Sequence, residues 1–172
     1  MEVVTRDADA QDVEPARRLA VKTAMFSEQE SHSVAEQLDA VIAGEALGTV
    51  LVATVDETVA GVAYVAAEPF SDRCFNLHFL AVEPERHGRG IGSRLVAEVE
   101  QRLVSLGPGL ARVLLIETSS TPQYEATRAF YSARGYTHEA TVRDFYGPSD
   151  HKIVFWKLGC QHFSGQVALL GP

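Results

Sequence analysis

The order of helical and extended segments along this chain predicts an α/β fold with a mixed sheet. In four segments apolar residues recur every three or four positions, which indicates amphipathic helices. Seven shorter runs are rich in β-branched residues or alternate apolar with polar, which indicates strands. The predicted order is β-α-α-β-β-β-α-β-α-β-β.

The first 68 residues predict a strand, two helices and a hairpin. Residues 2–6 favour a strand, and Asp9 is a plausible N-cap for the first helix. That helix has Val13, Ala16, Leu19, Ala20 and Thr23 at helical spacing. The second covers Glu28 to Ala43 and ends at Gly44, with Val34, Leu38, Val41 and Ile42 facing inward. Two β-branched runs then flank a turn near Asp56-Glu57-Thr58.

The remaining elements alternate strand and helix. The strand CFNLHFLAVEP stops at Pro84, and the helix after it repeats Ile91, Leu95, Val99 and Leu103, flanked by Val96 and Leu106, up to Gly107. RVLLIETSS has the length of a strand buried on both faces. The next helix runs from Gln123 to Arg134, with Ala126, Phe130 and Ala133 as its core stripe and Tyr124, Thr127, Arg128 and Tyr131 on another face. The final strands YTHEATVRDFY and HKIVFWKL are joined by GPSD.

Composition and charge exclude several classes of protein. The chain has 172 residues, of which 46% are hydrophobic, so we expect a single domain over residues 1–158. The tail 159–172 is expected to be an ordered extension, an oligomer contact or a disordered end, and we favour the disordered end. A net charge of −8 argues against nucleic acid as the main partner. No apolar run reaches the ~18 residues of a membrane span, and no signal peptide is evident, so we expect no membrane partner and a cytoplasmic location. Two cysteines do not make a disulfide framework.

The stretch ERHGRGIGSRL places Gly88, Gly90 and Gly92 at alternate positions between a strand and a helix. Backbone N–H groups at a helix start, without Cβ atoms in the way, form an anion site, and Arg86, His87 and Arg89 add positive charge. A tight turn without a ligand is the alternative. The P-loop and GxGxxG patterns both fail on spacing, the second because Leu95 stands at the third glycine position.

The spacing H-x-x-G-x-G, after LAVEP, resembles the GNAT superfamily of acetyl-CoA-dependent N-acetyltransferases, whose signature is Q/R-x-x-G-x-G/A. LLIETSS, TRAFYSARGY and RDFYGPSDHKIVFWK resemble its later elements, so the likeness covers roughly residues 74–157. Within the superfamily, the later part is most similar to ribosomal-protein-alanine N-terminal acetyltransferases. The resemblance implies a three-layer fold, a mostly antiparallel sheet with splayed central strands, and helices on both faces. His87 replaces Gln or Arg, and Tyr124 replaces an asparagine.

The resemblance also implies site residues. It assigns the acetyl-CoA site to His87, Gly88, Arg89, Gly90, Ile91, Gly92, Ser93 and Tyr124, and to main-chain groups of Leu80, Ala81 and Val82. Glu117, which interrupts an apolar strand, is the expected general base. The alternative is that Glu117 is a salt-bridged or strand-end glutamate without a catalytic role. His78 is the second candidate for the base. Tyr131 is the expected general acid for the thiolate, and the alternative is a packing residue.

The acceptor is expected to be a small amine or a peptide α-amine. Asn76, His78, Asp144 and Tyr146, with Asp150, are candidates for binding it, whereas a solvated turn is the alternative for the last hairpin. No metal is expected, because the six histidines form no HxxxH pair or Cys/His cluster. A homodimer is the default for a small enzyme. A non-catalytic acyl-CoA-binding or sensing domain on the same fold is the second function hypothesis.

Overall fold

The computed structural model describes residues 2–159, and in this part of the chain the predicted elements occur in the predicted order. They are β1 Val4–Asp7, α1 Val13–Lys22, α2 Glu28–Ile42, β2 Thr49–Val55, β3 Thr58–Ala67, β4 Cys74–Val82, α3 Ile91–Ser105, β5 Val113–Ser119, α4 Glu125–Ser132, β6 Thr137–Gly147 and β7 Asp150–Leu158. Short 3-10 turns at Ala10–Asp12, Pro84–Arg86 and Pro122–Tyr124 precede α1, α3 and α4. The predicted tail lies outside the described residues, apart from Gly159.

Local sequence signals account for the helix ends. Asp9 caps the 3-10 turn, accepting from the Gln11 N–H at 2.8 Å, and α1 begins only after that turn. Ser27 and Glu30 form a reciprocal capping box at the start of α2. Gly44 follows the end of α2 with φ +78°, a left-handed conformation that glycine adopts without strain.

The described chain forms two compact units. The first takes in the described residues up to 67 and residues 78–102. In it, β1 pairs antiparallel with β2, and β2 with β3. Helices α1 and α2 cover one sheet face, burying Leu19 and Leu38 in a cluster with Val62. The neighbouring residue of β3, Gly61, faces the start of α3, so helices lie on both faces of this sheet.

The second unit takes in residues 68–77 and the described residues from 103 onward. The first part of β4 pairs in parallel with β5, from Cys74–Val113 to Leu77–Ile116. Strand β5 then pairs antiparallel with β7, and β7 with β6. Helix α4 packs through Tyr131 on Phe155 of β7, with ring centroids 5.8 Å apart.

Strand β4 belongs to both units, and the strand order is β1-β2-β3-β4-β5-β7-β6. The β4–β5 register is parallel, whereas the β1–β2, β2–β3, β5–β7 and β6–β7 registers are antiparallel. A mostly antiparallel mixed sheet with helices packed on it confirms the predicted fold class.

The predicted core stripe of α4 is wrong. Ala126 and Ala133 are exposed, and the buried residue of this helix is Tyr131, which is 3% exposed. Phe130 is only half-buried, with the Arg134 guanidinium 3.6 Å from its ring centroid. Two alanines bury too little apolar area to outweigh a tyrosine, so the eight-residue helix turns its aromatic face inward.

Candidate functional site

The glycine loop has the backbone that an anion site needs. Gly88 and Gly90 have φ of +75° and +82°, and a Cβ at either position would have no neighbour within 4 Å among the described residues. Packing therefore does not explain these glycines, but their left-handed backbone does, and the open space beside them leaves room for a ligand. The Arg94 N–H donates to the Gly90 carbonyl at 3.0 Å, so α3 begins directly at the loop.

The start of α3 is held in place by close packing on the sheet. A Cβ built on Gly61 would lie 2.9 Å from Ile91 Cγ2 and 2.9 Å from Leu95 Cδ1. Ile91 and Leu95 are fully buried, so their side chains have little room to move away. The absent side chain at Gly61 lets the first two turns of α3 approach β3, and this fixes the direction of the helix dipole. Gly92 and Ser93 lie half-buried in the first turn, and Arg89 is exposed.

The positive charges near the loop are partly neutralised. Arg86 Nε lies 2.6 Å from Glu83 Oε2, and Lys22 lies 2.9 Å from the other oxygen of the same carboxylate. His87 turns back towards the strand, with Nε2 2.9 Å from the Val82 carbonyl oxygen. Because a carbonyl only accepts, Nε2 carries the proton, which leaves Nδ1 to reach a ligand. The loop's attraction for anions therefore depends chiefly on its backbone N–H groups.

The other predicted positions of the first unit line the end of β4. Ala81 is buried under α1 and α2, whereas Leu80 and Val82 are half-buried. His78 is exposed and stacks on Tyr64, with ring centroids 5.3 Å apart. Its imidazole is therefore supported by an aromatic face.

In the second unit, Glu117 is half-buried in β5, one residue beyond the last β4–β5 pair. Its Oε2 atom lies 2.7 Å from Lys152 Nζ, and the two side chains are 31% and 14% exposed. A carboxylate in an apolar strand is tolerated when it is paired, as it is here. Sequence reasoning missed Lys152, although its alternation with Val154 and Trp156 in HKIVFWKL was a signal that the three share a face.

Tyr131 lies on the opposite sheet face from Glu117. The register pairs Glu117 with Val154 and Ile116 with Phe155, so alternation places Glu117 on one face and Phe155, against which Tyr131 packs, on the other. Burial raises the pKa of the Tyr131 hydroxyl above its ordinary value, although the Arg134 charge opposes the shift. Tyr131 is therefore a protonated donor at neutral pH, but a weaker acid than a free phenol.

The last hairpin brings several predicted residues together. Burial, followed by the charges of Glu117, Asp150 and Tyr124, raises the pKa of Tyr146 to about 12. Burial, followed by the charge of Asp150, also raises the pKa of Tyr124, which is half-buried. These four residues are thus close enough to interact.

Two predicted acceptor residues have other contacts. Asp144 has φ +53°, and its carboxylate accepts from the Ser149 N–H at 2.8 Å, which is the contact of a turn residue. Asn76 is buried in β4 and donates through Nδ2 to Glu68 Oε1 at 2.7 Å. Its Oδ1 atom is buried without a hydrogen-bond partner among the described residues.

Neither a metal cluster nor a membrane-spanning helix occurs in the described part of the chain. Within it, no three His, Cys, Asp or Glu side chains are grouped so that they could hold a metal ion. No described helix is both long and apolar enough to cross a membrane.

A left-handed glycine loop precedes the long helix α3, on a mostly antiparallel sheet in which β4 and β5 are parallel. The model of the acetyltransferase (GNAT) family matches residues 14–136. The chain belongs to this family, which confirms the resemblance found in the sequence.

Solved structures of acetyltransferases have a similar fold. A protein assigned to the GNAT acetyltransferases, from Desulfovibrio desulfuricans, is 30% identical, with a TM-score of 0.82 over 91% of this chain and 99% of that one. The ribosomal-protein-S18-alanine N-acetyltransferase of Escherichia coli is 16% identical, with a TM-score of 0.74 over 98% and 100%. An aminoglycoside 6'-N-acetyltransferase complexed with coenzyme A is 18% identical, with a TM-score of 0.73 over 96% and 99%. No curated protein sequence matches the chain.

Proposed function

We propose that the chain is an N-acetyltransferase that moves the acetyl group of acetyl-CoA to a primary amine by direct attack in a ternary complex. The observation that carries the proposal is the glycine loop. Two left-handed glycines with open space above them, at the start of the 15-residue helix α3, fit a pyrophosphate bound by main-chain N–H groups. Membership of the GNAT family supports coenzyme A as the source of that pyrophosphate.

The second unit supplies groups for the chemistry. Direct transfer forms a C–N bond and breaks a C–S bond at one carbon, while a proton leaves the amine and another reaches the thiolate. In this proposal Glu117 accepts the proton of the attacking nitrogen, and Tyr131 donates a proton to the departing sulfur. Glu117 is the first residue of β5 after the last β4–β5 pair, and we expect the reacting carbon to lie beside this position of the strand.

Local charge and the names of the similar structures support a class of acceptor. Two of these carry the names of enzymes that act on a protein alanine and on an aminoglycoside. Together with Glu117 and Asp150 near the Tyr146 hydroxyl, this supports an amine that arrives with a positive charge. A panel of small-molecule and peptide amines distinguishes the two kinds of acceptor. A homodimer stays a prediction.

A non-catalytic acyl-CoA-binding domain is the second candidate. The pairing of Glu117 with Lys152 favours it, since a carboxylate already held by an ammonium is not free to take a proton. The two functions share the donor loop and differ only in turnover.

Release of free thiol from acetyl-CoA across a panel of peptide α-amines, amino sugars and polyamines tests the proposal. We expect amine-dependent release, which Glu117→Gln lowers by about 10² or more while acetyl-CoA affinity is retained. Glu139→Gln, at an exposed position of β6 in the second unit, is the matched control and should keep wild-type turnover. Tight acetyl-CoA binding without thiol release for any amine would identify the binding domain instead.

A further inference from the structure

The ammonium of Lys152 lies between a carboxylate and an aromatic ring. Its Nζ atom is 2.7 Å from Glu117 Oε2 and 3.5 Å from the centroid of the Phe145 ring. An ion pair together with a cation–π contact is the arrangement by which proteins bind alkylammonium ligands. Here the chain's own side chain occupies it.

The aromatic wall of this arrangement is set up by an irregularity in β6. The β6–β7 register shifts between Val142 and Gly147, and Asp144 within it has a left-handed backbone. The Asp144 N–H donates to His151 Nδ1 at 3.0 Å, which holds the irregular segment against β7. Bulges of this kind re-aim side chains next to functional sites. Phe145 and Tyr146, which follow, pack edge to face with centroids 5.0 Å apart.

Two carboxylates lie near the aromatic wall formed by Phe145 and Tyr146. Burial and the charges of Glu117 and Asp150 raise the pKa of Tyr146 to about 12, so two carboxylates act on its hydroxyl. Asp150 accepts a hydrogen bond from the Ser119 hydroxyl at 2.6 Å. Arg128 adds a second positive charge to this region, and its guanidinium donates to the carbonyls of Ser119 and Thr121. Lys152 thus balances one of the two carboxylates.

The ammonium of Lys152 lies at the end of a flexible stem, beside partners that are partly open to solvent. Phe145 is 53% exposed and Glu117 is half-buried, so the arrangement is open to solvent on one side. The lysine stem has four rotatable bonds, but its side chain is only 14% exposed, so removal of the ammonium leaves the Glu117 carboxylate without its partner unless another cation takes its place. An incoming ammonium would regain both contacts that Lys152 gives up.

We propose that the Glu117 carboxylate and the Phe145 ring form the ammonium subsite of the acceptor, and that Lys152 occupies it until an alkylammonium acceptor takes its place. The assignment of the ammonium to the acceptor rests on the proposed function. Lys152 is then a specificity-determining residue, because an amine without a positive charge does not displace it.

Tetramethylammonium is a suitable probe, because it has the charge of the acceptor and cannot be acetylated. Its binding is measured by calorimetry in the absence of acetyl-CoA, against equal concentrations of sodium chloride. The fluorescence of Trp156, the single tryptophan of the chain, is a second readout, since its register with Leu115 places it on the Glu117 face.

Lys152→Met keeps the stem and removes the ammonium, and we expect it to tighten tetramethylammonium binding at least fivefold. Lys152→Arg should retain weak binding, and Phe145→Leu added to Lys152→Met should abolish the gain. Lys157→Met is the matched control, because it removes one positive charge from the same strand at a lysine that contacts the Tyr136 ring instead. If Lys152→Met folds poorly, Lys152→Gln makes the same test.

Equal binding by the Lys152→Met and Lys157→Met variants, or weaker binding by Lys152→Met, would overturn the proposal. Tight binding by Lys152→Met without acetyl transfer to any amine would keep the subsite and reject the reaction. Acetyl transfer with an acceptor KM that Lys152→Met leaves unchanged would keep the reaction and reject the subsite.

Discussion

Replacing Gly90 by alanine tests whether the loop approaches a ligand through its backbone. The added methyl meets no described atom of the protein within 4 Å, so any new contact is with the ligand. A bound pyrophosphate should lose the close approach to the N–H groups, and we expect the dissociation constant of coenzyme A to rise at least about tenfold, which is about 1.4 kcal/mol.

The chain offers a matched control for the backbone effect. Gly44 has φ +78°, against +82° for Gly90, and a Cβ there also meets nothing within 4 Å. Alanine in this conformation costs about 1–2 kcal/mol at either position, which for a chain of this length lowers Tm by about 2–8 °C. Both variants should therefore lose similar stability, and only Gly90→Ala should lose affinity.

Calorimetric titration with coenzyme A, alongside thermal unfolding, separates the two effects. Similar Tm values with a weakened Gly90→Ala complex are the expected result. If both folded variants bound coenzyme A as tightly as the wild type, the loop would be a tight turn and the donor site would lie elsewhere.

Three further predictions follow from packing and charge. Tyr131→Phe should lower kcat by about 10². This is the lower end of the range for general acid catalysis, because burial makes this phenol a weaker acid. Tyr136→Phe, in the same aromatic cluster, should leave kcat unchanged, and single-turnover kinetics measures both variants. Gly61→Val should lower the free energy of unfolding by about 1–3 kcal/mol in urea, since the new methyls overlap α3; unchanged stability would contradict the close packing. Burial opposes the low pKa of Asp12, but hydrogen bonds from Arg6 and the Asp9 N–H lower it. The stabilisation is present above the unfolded pKa and is lost as pH falls through the lower folded pKa, so the stability difference from Asp12→Asn should shrink below about pH 4.

The sequence predicted the position of the glycine loop better than it predicted the packing of the neighbouring elements. H-x-x-G-x-G correctly placed the loop between β4 and α3, because the glycine requirement is a local backbone property. The inward face of α4 was wrong, because an eight-residue helix has too few positions for periodicity to decide which face is buried. Lys152 was missed because its pairing with Glu117 depends on the β5–β7 register.

By itself, the sequence determined the element order, the glycine loop and the family, since helical periods, turn residues and left-handed glycines are written in local stretches of chain. The tertiary structure decided which side chains meet. The opposite faces of Glu117 and Tyr131 follow from a register between strands some 35 residues apart, and the contact of Lys152 with Phe145 follows from a shifted register in β6. Such pairings are set by burial across the whole sheet, so no short segment of the chain encodes them.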